Sequence, residues 1–153
     1  MIKWLYQEDG KSGSGVNASY RIPTSGVIWV CAVSPTEKEL SKISKDFSLP
    51  MHILKNYNRE RRSVRYSFEP FACTFVDYQL VGGAVERTNV LFFISKNFLV
   101  TILEEPIVAY DTTFSEISGK IKKERFSTVA LLTEILDADV EENYDVIDRK
   151  SVV

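Results

Sequence analysis

Apolar and polar positions along the chain follow two rhythms, and the rhythm changes in blocks. Residues 1–7 alternate weakly, as a short first strand does. Residues 27–33 (VIWVCAV) form the longest unbroken apolar run, and their β-branched, aromatic and aliphatic side chains predict a buried strand. A helix follows: Ser34 is placed to cap it, Pro35 fits the first helical position, and Glu37 completes a capping box. Leu40, Ile43 and Phe47 then give that helix one apolar face. Leu49 and Pro50 end it, and a short second helix is expected over 51–57. Four strand candidates come next, over 64–68, 71–81, 88–95 and 98–103. Gly82-Gly83 and Lys96-Asn97 are the turns between them, the latter a tight link because Asn tolerates positive φ. Helical spacing returns over 111–125 and again from Ser127, a cap, to Val153 with no Gly or Pro and no stop signal.

This order of elements predicts an α/β fold, a mixed and largely antiparallel sheet sandwiched between helices (α/β/α). Residues 1–125 read as one domain, and residues 126–153 as its last helix and the root of a longer one. The segment GKSGSG, residues 10–15, reads as a flexible turn or exposed hairpin loop. It is not a phosphate loop, because its GK precedes the glycines instead of ending the motif.

Composition excludes several functions. The formal net charge of −2 offers no basic field for nucleic acid. A spanning helix needs about 20 mostly apolar residues, and the seven of 27–33 fall short. The N-terminus lacks the apolar stretch of a signal peptide. His52 is the only histidine, and Cys31 and Cys73 lie far apart in strand-like stretches. A Cys/His zinc cluster is therefore excluded, and both thiols read as buried and free in a reducing compartment. No nucleophile elbow or triad can be assembled, so the chain reads as no enzyme.

The one constellation with chemistry is acidic. Residues 134–148 hold seven acids and no base. At about 100° per residue, Val129, Leu132, Leu136, Val140, Tyr144 and Ile147 form a stripe expected to pack on the sheet. Glu134, Asp137, Glu141, Asp145 and Asp148 form an acidic flank beside it. Like charges at this spacing each cost about 0.2–0.5 kcal/mol per pair. A divalent cation held by a carboxylate or two and by water would relieve that repulsion. Asp137, Glu141 and Asp148 are the candidate ligands, for Mg²⁺. The basic run over 58–65, with Arg59, Arg61, Arg62 and Arg65, is a candidate partner for phosphate, anionic lipid or the acidic helix of a neighbouring subunit.

Four segments together resemble the N-terminal cytoplasmic domain of the CorA family of magnesium and cobalt transporters. They are VIWVCAVSPTEKELSKISKDFSLPMHIL, RRSVRYSFEPFACTFV, VLFFISKNFLVTILEEP and LLTEILDADVEENYDVID. The last aligns without a gap to a family pattern L-L-x-x-h-h-D-x-h-V-D-x-Y, where h is apolar. The resemblance implies a homopentameric channel for Mg²⁺, in some members Co²⁺ or Ni²⁺, with Zn²⁺ moved by a related branch. It implies that this chain is a regulatory funnel domain on the cytoplasmic side of the cell membrane, itself soluble, with membrane contact only through helices beyond the last one. The Gly-Met-Asn motif of the pore mouth is absent from these residues. Asp137 matches an acidic position used at a regulatory interface in some members. Several positions depart from the pattern: Lys55 and Asn56 stand where the family often has acids, its Q-R-P-K reads ERRS over 60–63, and Ser95 replaces a glycine. The alternative to transport is a free-standing cytosolic α/β adaptor or enzyme domain.

Overall fold

Strand β3, Val27–Val33, runs through the middle of the molecule, and all its residues but Val27 are buried. Its alternation serves two cores at once. Ile28, Val30 and Ala32 face one cluster, and Trp29, Cys31 and Val33 face the other. The computed structural model describes residues 1–59, 64–66 and 70–151, except the side chains of 64–66 and 144–151. Around β3 lie β1 (Ile2–Glu8), β2 (Lys11–Val16), β4 (Val64–Tyr66), β5 (Phe71–Val81), β6 (Ala84–Ile94) and β7 (Phe98–Leu103). They form a sheet in the order β2-β1-β3-β7-β6-β5-β4. Among the described residues, β3 and β7 pair in parallel and the other pairings are antiparallel.

Helices cover both faces. On the first, α1 (Glu37–Phe47) and α2 (Met51–Leu54) bury Leu40, Ile43, Phe47, Ile53 and Leu54. On the second, α3 (Val108–Lys120) and α4 (Thr128–Ser151) bury Tyr110, Ile117, Leu131 and Ile135. The α/β/α sandwich expected from the order of elements is the fold observed.

Several local expectations need correction. The segment GKSGSG is mostly strand, because β2 pairs with β1 in the register Trp4↔Gly15 and Tyr6↔Gly13. A Cβ at Gly15 would sit 2.5 Å from the Trp4 indole, and one at Gly13 2.8 Å from the Tyr6 ring. The glycines are there to let two aromatic rings lie across an edge strand. Ser34 is not the helix cap. It adopts φ 45° and donates its hydroxyl to the Glu104 carbonyl at 2.7 Å. Thr36 caps α1, with Glu39 closing the box from the other side at 2.9 and 3.1 Å. Two overlapping S/T-x-x-E patterns were available, and the chain uses the second. The Lys96-Asn97 link is closed by the Ser95 hydroxyl, which accepts from the Asn97 and Phe98 amides, without a positive φ at Asn97. Gly82 and Gly83 do turn with φ 56° and 83°. Helix α2 ends three residues earlier than expected, and α3 starts at Val108 and stops at Lys120 instead of covering 111–125. Ser127 caps α4 as expected, its hydroxyl accepting from the Ala130 amide at 3.1 Å.

A buried acid pair beneath the last helix

The face that α4 turns to the sheet differs from the one expected. Thr128, Leu131, Ile135 and Asp139 are buried, whereas Val129 and Val140 are 65% and 51% exposed. The helix has two apolar stripes about a third of a turn apart. The one that packs contains an aspartate, which is why the wheel favoured the other. Asp137 and Glu141 lie exposed, as an acidic flank requires. The side chain of Asp148 lies outside the described residues, as do those of Asp145, Arg61, Arg62 and Arg65. Arg59 is exposed. Among the described residues no three His, Cys, Asp or Glu side chains converge on a point.

The structure instead brings together residues that the sequence reading did not single out. Asp77 on β5 is 2% exposed and Thr88, directly opposite on β6, is 3% exposed. Both point to the helical face served by α3 and α4, the face of Phe75 and Phe92. Asp139 descends on them from α4, itself 6% exposed. Asn143, one turn further along, donates from Nδ2 to Asp77 Oδ1 and to the Asp139 carbonyl, both at 3.0 Å. The Tyr78 amide also donates to Asp77 Oδ1, at 2.8 Å. Two buried oxygens, Thr88 Oγ1 and Asn143 Oδ1, find no hydrogen-bond partner among the described residues, and Asp77 Oδ2 finds none but the carboxyl of Asp139 when that is protonated.

Two carboxylates this close and this dry do not both ionise. Burial pushes the Asp139 carboxyl up to about 8, helped by its hydrogen bond to Asp77, the charge of Asp77 and the charge of Glu142. Burial also holds the Tyr110 phenol well above its usual value, and Asp139 and Asp77 add to that. Among the described residues no Lys or Arg forms an ion pair with either aspartate. The sequence did carry a signal for Asp77: an acid at an inward position of an alternating strand, in register with a threonine.

The remaining chemistry is quiet. Burial raises the Cys31 thiol to about 11, so it is no nucleophile at neutral pH. An open groove of about 950 Å³ runs beside Lys11, Lys96 and Lys122, but Glu8, Asp9 and Glu124 line it too, and Asp9 pairs with Arg125 at 3.1 Å. Its mixed charge singles out no ligand.

Residues 24–150 match the family model described as CorA-like Mg²⁺ transporter protein. The chain belongs to that family. No curated protein sequence matches it. Among solved structures, this CorA-like chain is similar to the complete CorA magnesium transporter of Methanocaldococcus jannaschii, with a TM-score of 0.80 at 17% identity over 99% of this chain and 48% of that one. The soluble domain of the same CorA gives a TM-score of 0.75 at 20% identity over 99% and 60%. The ZntB cytoplasmic domain of Vibrio parahaemolyticus gives 0.63 at 10% identity over 95% and 61%. The chain thus spans about half the length of the complete transporter it resembles. No helix among the described residues is long and apolar enough to cross a membrane.

Proposed function

We propose that this chain is the cytoplasmic, regulatory domain of a divalent-cation transporter of the CorA type, carrying Mg²⁺, with Co²⁺ and Ni²⁺ as further candidates, in a homopentamer. The observation that carries this reading is the family match over residues 24–150, on a fold shared with nearly half of a complete CorA. In it, residues 1–125 are the funnel domain, and residues 126–153 lead into a stalk. The regulatory element is the exposed flank of α4. Asp137 and Glu141 meet no ion-pair partner among the described residues. Asp148 belongs to the same flank by sequence. Facing a neighbouring subunit, such a flank is repulsive when bare and is drawn together by Mg²⁺, which keeps several waters and needs only one or two carboxylates. Filling it would hold the subunits in one arrangement; emptying it would release them.

The test is growth rescue. The intact gene product, expressed in a strain unable to take up Mg²⁺, restores growth on low Mg²⁺ if the reading is right. The variant Asp137→Asn/Glu141→Gln/Asp148→Asn also rescues, but it continues to take up Mg²⁺ when the cell is replete. No rescue by protein shown to reach the membrane refutes transport. Rescue with unchanged regulation in the variant refutes the role of the flank alone.

A further inference from the structure

We propose that Asp77, Thr88, Asp139 and Asn143 form a divalent-cation site inside a single chain, distinct from the exposed flank of α4. The case begins with the oxygens that lack partners. Thr88 Oγ1 and Asn143 Oδ1 are each buried without a hydrogen bond among the described residues, and Asp77 Oδ2 has only the proton of Asp139 to bond, which a cation would displace. Leaving such a group unpaired costs about 1–3 kcal/mol. Thr88 is the observation independent of the acids. Its hydroxyl is 3% exposed, stands across the strand pair from Asp77, and has nothing to bond. Directly opposite side chains on one face stand about 5 Å apart at Cβ. The helix closes the other side with Asp139 and with Asn143, whose amide nitrogen is already committed to Asp77 and to the Asp139 carbonyl. With the nitrogen so committed, the amide oxygen is left without a hydrogen-bond partner among the described residues.

The donor set chooses the ion. Two carboxylates, a hydroxyl and an amide oxygen are all hard ligands, with no nitrogen or sulfur donor among them. Such a set suits Mg²⁺ or Mn²⁺ over zinc or copper. The charge balance agrees. Among the described residues, the ionisable groups facing the pair are acidic or neutral: Glu142 from α4 and Tyr110 from α3. A dication would neutralise the two aspartates where the described residues supply no cation. The positions are also rigid: a β5–β6 register sets two of the ligands, and one turn of helix separates the other two. A cation there would pin α4 to the far side of the sheet, next to the stretch whose outer face carries Asp137 and Glu141. The site does not depend on the transport reading and would persist if that reading failed.

Mn²⁺ is the probe, with electron paramagnetic resonance and calorimetric titration as readouts, at protein concentrations where the chain is monomeric. The expected result is one bound Mn²⁺ per chain, displaced by Mg²⁺. Thr88→Val, which keeps the shape of the side chain, weakens binding at least tenfold, and Asp77→Asn abolishes it. Asp137→Asn leaves it unchanged. If Asp77→Asn fails to fold, Thr88→Val decides. Three results overturn the proposal: no Mn²⁺ bound at millimolar concentration, binding unaffected by Thr88→Val, or binding lost with Asp137→Asn but kept with Asp77→Asn. The last would put the ion on the exposed flank and leave the transport reading intact.

Discussion

At the scale of single residues, Asp139 governs how the fold answers to pH. Its carboxyl is held up near 8 by burial and by Asp77, against 3.8 for the free side chain. The folded chain therefore keeps a proton that the unfolded chain gives up. That linkage is fully stabilising below about pH 4, weakens as pH rises from 4 to 8, and is spent above 8. In chelator, wild-type stability is expected to fall across this window relative to Asp139→Asn, with a slope of up to about 1.4 kcal/mol per pH unit. The asparagine amide still donates to Asp77, so the variant should be the more stable of the two at pH 8.5. Urea unfolding from pH 4.5 to 8.5 measures the difference. Parallel curves for the two proteins would mean that the pair is not coupled as described. Little of this was legible beforehand. Asp77 shows only as an acid at an inward strand position, Asp139 looks ordinary in its helix, and only the docking of α4 on β5 makes them neighbours.

At the scale of elements, the informative error concerns which stripe of α4 is buried. Periodicity placed the helix correctly and its Ser127 cap as well, but a wheel ranks stripes by apolarity, and here an aspartate lies on the packed one. Leu131 is fully buried and Val140 half exposed. Leu131→Ala should cost about 2–5 kcal/mol, the usual range for a core leucine. Val140→Ala should stay within about 0.5 kcal/mol. Equal effects from the two, read by thermal or urea unfolding, would restore the stripe first expected. The β1–β2 edge carries a second prediction. Gly15→Val pushes a branched side chain into the Trp4 indole, which a Cβ alone would already approach to 2.5 Å. A loss of about 1–3 kcal/mol is expected, as for other overpacked sites. It should be largely recovered by pairing the change with Trp4→Ala. A glycine-rich run reads as a loop until its partner strand is known. The signal lay in Trp4 and Tyr6, which alternate in the same rhythm as Gly13 and Gly15.

At the scale of the whole molecule, the architecture was legible and the site was not, for one physical reason. Strand and helix periods are local, so the VIWVCAV strand, the Leu40-Ile43-Phe47 face and the β5–β7 run declare themselves within a few residues. The buried acid pair is a tertiary fact. The same holds for the acidic flank, whose proposed role needs a neighbouring subunit. In the proposed reading two cation sites would divide the labour: the inner one would tie α4 to its own sheet, and the outer one would tie α4 to a neighbouring subunit. The most direct measurement is Mg²⁺ flux through the intact gene product in proteoliposomes, with Mg²⁺ varied on the side that holds this domain. The account predicts an inward Mg²⁺ current that falls as that Mg²⁺ rises into the millimolar range, and a weaker fall when Asp137, Glu141 and Asp148 are neutralised together. A protein that inserts and assembles but passes no Mg²⁺ at any concentration would contradict it.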